Sequence, residues 1–144
     1  MPEDPDFVIP IGKADVKREG TDVSIVTYSA MVHKALEAAG SLAAKGISAE
    51  VLDLRTVYPL DEETILRSIE KTSRALVLYE SYRFLGIGAE VAAMIAERAF
   101  QYLDAPVARL TPPNIPVPFS PTLEDAFLPG VADIERAVDE LSAW

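Results

Sequence analysis

Apolar and polar residues alternate along the chain in blocks that predict strands and helices in turn. Short apolar runs rich in Val, Ile and Leu, such as DVSIVTY from Asp22 and RALVLYE from Arg74, are typical of strands buried on both faces. Between them lie longer segments whose apolar residues recur at three- and four-residue spacing, which is typical of amphipathic helices. Buried strands alternating with helices predict an α/β fold of three layers, α/β/α, around a mostly parallel sheet of about five strands.

The same pattern gives the approximate position of each element. Strands are predicted at 22–28, 47–54, 74–80 and 106–112, with an extended lead-in or edge strand within 8–20, and helices at 30–46, 62–73, 88–103, 122–128 and 131–144. Ser29 and Asp61 are the candidate N-caps of the first two helices, because their side chains can accept a backbone N–H. In the second helix, Ile65, Leu66 and Ile69 should face the core.

Composition narrows the class of protein. The chain has 144 residues, 49% of them hydrophobic, which suits one domain with a single core. Residues 1–8 begin with the Pro- and Asp-rich run MPEDPDF and are predicted to be a linker remnant, with the domain at 9–144. The formal net charge of −10 disfavours nucleic acid and anionic membranes as partners. A basic protein partner fits this charge, and acidity for solubility alone explains it equally well.

Several kinds of chemistry lack the residues that they need. The chain contains no cysteine, which excludes disulfides, thiolate catalysis and zinc–thiolate sites. It has no apolar run near the ~20 residues that span a bilayer and no secretory signal pattern, so we expect a cytoplasmic location. His33 is the only histidine, and no nucleophile–base pair or metal-ligating cluster accompanies it in the sequence. We therefore predict no catalytic, cofactor-binding or metal-binding residue in this chain.

One candidate ligand site lies where the predicted parallel strands end. Ligands of open α/β sheets bind in the crevice beyond the carboxyl ends of the strands. Arg55, Glu80 and Arg83 follow such ends, and their charges could bind a small regulatory anion. The same side chains could instead form a hydrogen-bonded rim that satisfies loop backbone, which is the stronger alternative at this point.

The segment ESYRFLGIGAE, from Glu80 to Glu90, resembles a phosphate-binding loop only superficially. A dinucleotide fingerprint needs a third glycine three residues after Gly88, where the chain has Val91. Glu90 would also repel a phosphate at the start of the following helix. Gly86 and Gly88 are better explained as positions where the backbone needs freedom or where the small-residue helix closely approaches a neighbour.

The proline-rich segment TPPNIPVPFSP, residues 111–121, is too rich in proline for regular structure. Its alternating prolines and apolar residues favour an extended chain that lies across a surface. Two interpretations stay open for it. An exposed segment would be an apolar patch typical of an interface, whereas a buried one would pack on its own domain.

Four ordered segments resemble a known family. They are IPIGKADVKREGTDVSIVTYSAMVHKALEAA, EVLDLRTVYPLDEETI, ALVLYESYRFLGIGAEVAAMIAE and YLDAPVARLTPPNIPVPFSPTLEDAFLP. Together they resemble the C-terminal domain of the β subunit of thiamin-diphosphate-dependent 2-oxo acid dehydrogenases, the first components of the pyruvate, branched-chain and acetoin complexes. The DLRTVYPLD part also resembles the equivalent domain of transketolase. The loop TPPNIPVPF departs from the pattern TGxDxPxPY of other relatives, which leaves the 2-oxo acid undecided.

The resemblance implies a role in assembly rather than in chemistry. It implies an enzyme that decarboxylates a 2-oxo acid oxidatively and transfers the acyl group to lipoamide. Its thiamin diphosphate and Mg lie between the α subunit and the N-terminal domain of the β subunit, outside this chain. The location implied is the cytoplasm, or the mitochondrial matrix in a eukaryote.

The resemblance also implies three protein partners: the symmetry mate of the domain, the α subunit, and the basic subunit-binding domain of the dihydrolipoyl acyltransferase. Asp104 and the carboxylate of Trp144 match the family positions associated with docking of the acyltransferase. We expect the small-residue helix to form a subunit interface. Its predicted interface residues are Gly86, Gly88, Ala89, Ala92 and Ala93.

Overall fold

A computed structural model describes residues 8–144, which form one five-stranded sheet. The strand order is β1-β3-β2-β4-β5, and only the edge strand β1 runs antiparallel to its neighbour. The prediction of a mostly parallel sheet of about five strands is therefore confirmed. The predicted linker at residues 1–8 lies outside the described residues except for Val8. None of the helices within 8–144 is long and apolar enough to cross a membrane.

The elements follow the predicted order. The strands are β1 (Asp15–Arg18), β2 (Val23–Thr27), β3 (Ala49–Asp53), β4 (Ala75–Leu78) and β5 (Ala108–Leu110). The helices are α1 (Met31–Ala44), α2 (Glu62–Thr72), α3 (Ile87–Arg98), α4 (Pro121–Phe127) and α5 (Val131–Ser142), with a short 3-10 turn at Phe100–Tyr102. The proline-rich segment contains no regular structure until α4 begins.

Helices cover both faces of the sheet, so the core has two layers. On one face, α1 and α5 pack on strand residues such as Ile25, Val51 and Leu76. On the other face, α2 and α3 pack on the alternate residues, such as Val26 and Leu52. Each central strand is thus buried on both sides, which explains why it has an almost continuous apolar sequence.

The two predicted N-caps have different outcomes. Asp61 caps α2, since its carboxylate accepts the N–H of Thr64 at 3.3 Å and also the N–H of Ala14 at 3.1 Å. The prediction for Ser29 is wrong, because the N-cap of α1 is Ala30, which makes no side-chain hydrogen bond. Ser29 has a φ of 59°, a left-handed conformation, and its carbonyl accepts the N–H of Val32 at 3.2 Å.

Candidate partner-binding groove

The outer face of α3 forms one wall of a surface groove of about 710 Å3, which we name the α3 groove. Four alanines at helical spacing line this wall: Ala89, Ala92, Ala93 and Ala96. Because alanine is the smallest side chain with a Cβ, this wall lets another protein approach the helix backbone closely. Phe100, Leu103 and Val107 continue the apolar lining beyond the helix.

Polar and aromatic groups stand at the mouth of the α3 groove. Asp104 lines it with a side chain that is 62% exposed, and the nearest guanidinium nitrogen of Arg74 is 3.9 Å away. At that distance and exposure, Arg74 satisfies little of the carboxylate's capacity for hydrogen bonds. Trp144, also exposed, lines the same groove from the end of the chain. The carboxylate and the indole are therefore both open to a partner.

The structure thus brings together residues that the sequence assigned to two separate surfaces. Ala89, Ala92 and Ala93 were predicted for a subunit interface, and Asp104 and Trp144 for docking of a partner domain. All five line the α3 groove. Sequence analysis missed Ala96, Phe100 and Leu103, although they continue the spacing of three and four residues along the same face.

The two glycines at the start of α3 have a partner within the chain. A Cβ built on Gly88 would lie 2.5 Å from Cζ of Tyr79, and closer still to other ring atoms. A Cβ on Gly86 would lie 2.9 Å from the same ring. The predicted close approach is therefore to Tyr79, which is fully buried at the end of β4. Gly88 is itself buried in this contact, so it is not available on the surface as a subunit contact.

At the carboxyl edge of the sheet, the candidate anion-binding residues are engaged with different groups. The Arg55 guanidinium contacts Asp15 at 2.6 Å, and its backbone N–H donates to Asp53 at 3.0 Å. The Arg83 guanidinium donates to the backbone carbonyl of Arg109 at 2.7 Å. These contacts correspond to the hydrogen-bonded rim, so a bound anion would have to compete with them.

The pKa values of Asp15 and Tyr28, at the same edge of the sheet, are shifted by their surroundings. A hydrogen bond from Lys17 lowers the pKa of Asp15, and the charge of Arg55 lowers it further against the effect of burial. Directly after β2, burial raises the pKa of Tyr28, and the negative charge of Glu80 adds to this effect. The charge of Arg55 is therefore matched by the Asp15 carboxylate within the domain.

The described residues do not fit thiamin diphosphate and its magnesium ion. Within residues 8–144, no three His, Asp or Glu side chains lie close enough together to hold a metal ion. The first turn of α3, which resembles a phosphate loop, carries the carboxylate of Glu90, and its glycines pack on Tyr79. A diphosphate at this helix end would meet a negative charge, which disfavours its binding there.

Comparison with known proteins decides the family. Residues 12–134 match the family described as transketolase, C-terminal domain. The chain belongs to this family. It is 53% identical over 134 residues to the β subunit of the pyruvate dehydrogenase E1 component of Bacillus subtilis, covering 93% of this chain and 41% of that protein. It is 50% identical over 131 residues to the β subunit of an acetoin:2,6-dichlorophenolindophenol oxidoreductase of Cupriavidus necator, covering 91% and 39% respectively.

A solved structure agrees with this assignment. The transketolase C-terminal domain of this chain superposes with a TM-score of 0.82 on a split-gene transketolase described as an inactive β4 tetramer, at 30% identity. The match covers 97% of this chain and 44% of that one. The resemblance to β subunits of 2-oxo acid dehydrogenases is therefore confirmed. The chain spans about two fifths of the length of the curated relatives that it matches.

Proposed function

We propose that this chain is the assembly and docking domain of the β subunit of a 2-oxo acid dehydrogenase first component. The whole enzyme would decarboxylate a 2-oxo acid with thiamin diphosphate and pass the acyl group to lipoamide. The relatives named above are β subunits acting on pyruvate or acetoin, at similar identities of 53% and 50%, so identity does not select the substrate. We place the cofactor in the other parts of the enzyme, because the described residues do not fit it.

The observation that carries the proposal is the α3 groove. Its wall of alanines suits close packing of a second protein, and the exposed Asp104 and Trp144 stand at its mouth. Exposed aromatic residues such as Trp are enriched at protein interfaces. We assign the alanine wall to the symmetry mate of the domain and the mouth to the subunit-binding domain of the acyltransferase.

Charge supports a basic docking partner. The chain has 23 acidic and 13 basic residues, which gives a long-range attraction for a cationic domain. Arg109 lines the groove as the opposing charge, but its guanidinium donates to the backbone carbonyl of Arg83 at 3.1 Å. Asp104 is thus the charged group at the mouth that has the weakest internal partner.

Self-association has separate support. The solved structure described above is named as a tetramer of β chains and has the same domain over 97% of this chain. That name supports our proposal that this domain also takes part in self-association. We expect the α3 face to contribute to the corresponding contact in this protein, together with contacts to an α subunit.

The test of docking uses the first component assembled from the longer β subunit and its α subunit. Isothermal titration calorimetry with the subunit-binding domain should show that Asp104→Lys weakens binding about tenfold, because it replaces attraction with repulsion at the mouth. The loss should shrink at high salt. Glu37→Lys on α1 makes the same change of charge outside the α3 groove and should have little effect. Equal affinities for the two variants would reject Asp104 as a docking residue.

The test of self-association uses Ala92→Leu, which fills the alanine wall without adding charge. Analytical ultracentrifugation of the β subunit should show a dimer constant weakened by tenfold or more, since the added side chain prevents close approach. Gly40→Leu, at an exposed position of α1 where no heavy atom lies within 4 Å of a built Cβ, is the control. An unchanged dimer constant for Ala92→Leu would exclude α3 from the subunit contact.

A further inference from the structure

The sheet has two outer strands, and they differ in how they are protected from pairing with another chain. The open side of an outer strand presents unpaired backbone N–H and C=O groups, which can add a strand from another molecule. In β1, three of the four residues are charged, namely Asp15, Lys17 and Arg18, and the register with β3 shifts between Val16 and Arg18. Charged side chains and irregular register are common protections, so β1 is covered by its own sequence.

The other outer strand, β5, has apolar surface on both faces. Within residues 8–144 it pairs with β4 only, and Arg109 is its single charged residue. A depression of about 300 Å3 lies on the α5 side and the α3 groove on the opposite side, and Val107 and Trp144 line both. Successive side chains of a strand point to opposite faces, so a strand added beside β5 can fill both depressions. The open side of β5 is therefore attractive for pairing.

The hydrogen bonds of β5 show which of its residues faces outward. The N–H of Tyr79 donates to the carbonyl of Leu110 at 3.2 Å, so the backbone groups of Leu110 face β4. Backbone groups of successive residues alternate between the two sides of a strand. The N–H and the carbonyl of Arg109 therefore face the open side, where an added strand would bind.

Arg83, in the loop after β4, occupies this open position. Its guanidinium donates to the Arg109 carbonyl at 2.7 Å, and the Arg109 guanidinium donates to the Arg83 carbonyl at 3.1 Å. The N–H of Arg83 also donates to the side-chain oxygen of Asn114 at 3.0 Å, which ties the loop to the segment after β5. Because hydrogen bonds from a charged donor are stronger than neutral ones, an approaching strand would have to displace a well-held side chain.

We propose that the reciprocal contact between Arg83 and Arg109, which we name the arginine clamp, closes the open side of β5 against strand addition by a second copy of this chain. The clamp occupies the outward carbonyl of Arg109 with a donor from the same molecule. It thereby does for β5 what the charged residues and the register shift do for β1.

A second copy is the strand donor that β5 fits best, because the strand can pair with its own equivalent. Around a twofold axis centred on Arg109, two β5 strands would run antiparallel and exchange a pair of backbone hydrogen bonds. Each copy also brings the apolar faces described above. The two Arg109 side chains would then lie opposite each other, and like charges so placed oppose pairing. The clamp involves neither the alanine wall nor Asp104, so it and the docking role can fail independently.

Sedimentation velocity of the 144-residue chain over a range of concentrations tests the clamp. Arg83→Ala/Arg109→Val removes both guanidiniums but keeps the backbone N–H that binds Asn114. This variant should form species larger than those of the wild type at a concentration at least tenfold lower.

The matched control removes two arginines away from the clamp. Arg67→Ala/Arg136→Ala makes the same change of net charge, since these exposed side chains pair with Glu63 on α2 and Asp133 on α5. It should associate like the wild type. Equal association of the clamp variant and the wild type would overturn the proposal, as would equal association of the clamp variant and the control.

A proline at position 109 separates strand pairing from other routes of association. Arg83→Ala/Arg109→Pro also lacks both guanidiniums, but it has no N–H on the open side of β5. Because residue 109 faces outward, proline there removes no hydrogen bond to β4. This variant should stay at the level of the wild type, and association equal to that of Arg83→Ala/Arg109→Val would overturn the proposal.

Hydrogen exchange gives a readout that does not require the proline variant to fold. In Arg83→Ala/Arg109→Val, the outward N–H of residue 109 should exchange at least tenfold more slowly in the associated species than in the dilute chain. The N–H groups of α1 should exchange equally in both. Unchanged exchange at residue 109 on association would show that the copies meet elsewhere and would overturn the proposal.

Discussion

Replacing Gly88 by alanine should destabilise the domain, although alanine is the better helix former. The added Cβ would lie 2.5 Å from Cζ of Tyr79, where carbon atoms normally stay about 3.5–4.0 Å apart. The Tyr79 ring would have to move by about 1 Å or more, and it is completely buried. Such overpacking costs about 1–3 kcal/mol and occasionally more. Because the displacement is large, we expect the upper end of this range.

The higher helix propensity of alanine reduces the loss of stability without reversing it. Alanine in place of glycine inside a helix gains about 1 kcal/mol. The free energy of unfolding should therefore fall by about 2 kcal/mol for Gly88→Ala. Gly40→Ala is the matched control, because Gly40 lies inside α1, is exposed, and has no heavy atom within 4 Å of a built Cβ. That substitution should raise the free energy of unfolding by about 1 kcal/mol.

Urea unfolding of the 144-residue chain, followed by circular dichroism, measures both values. The urea midpoints of Gly88→Ala and Gly40→Ala should move in opposite directions from that of the wild type. The slope of the unfolding free energy against urea concentration should stay constant, which would show that only the stability has changed. Tyr79→Leu replaces the ring by a smaller side chain. Because residues 79 and 88 are in contact, this substitution should lower the free energy of unfolding by about 1–2 kcal/mol less in the Gly88→Ala variant than in the wild type. Stabilisation by both glycine substitutions, or strict additivity with Tyr79→Leu, would refute the assigned contact.

Two further predictions concern local structure. The Asp61 carboxylate is buried, which raises its pKa, but bonds from Thr64 and Ala14 and the charge of Lys13 lower the pKa overall below its ordinary value of 3.8. Its stabilisation is thus complete above the ordinary pKa and lost as pH falls through the folded pKa. Asp61→Asn keeps a capping oxygen but removes the charge, so it should lower the free energy of unfolding at pH 7, and the difference from the wild type should disappear in urea titrations at pH values below the folded pKa. A pH-independent difference would contradict this. Leu85→Asn should stabilise the isolated chain by about 1 kcal/mol in thermal melts, because asparagine tolerates a φ of 58°. A loss of stability would mean that Leu85 has an internal contact.

Local patterns predicted most of the fold. The apolar strands buried on both faces gave the parallel sheet, and Asp61 before Glu62 and Glu63 correctly predicted the start of α2. Ser29 failed as a predicted cap because the turn between β2 and α1 puts it in a left-handed conformation, which depends on how the helix packs and not on the residue type.

The candidate site could be recognised only from the tertiary structure. Tyr79 directly follows β4 and Gly88 lies in the first turn of α3, and no pattern in the sequence indicates that the segment between them folds the ring under the helix. Likewise, Trp144 joins Ala92 and Asp104 only because α5 ends beside the open edge of the sheet. The sequence predicted Ala92 through the small-residue helix and Asp104 and Trp144 through family resemblance, but it did not predict that they share one surface.

Amide hydrogen exchange tests the docking role most directly. The first component is measured with and without a saturating amount of the acyltransferase's subunit-binding domain, and exchange is compared peptide by peptide. Binding at the mouth of the α3 groove predicts slower exchange in residues 100–107 and at the end of α5, with little change in α1. Protection elsewhere in the domain but not in these segments, or no protection at all, would contradict the assignment.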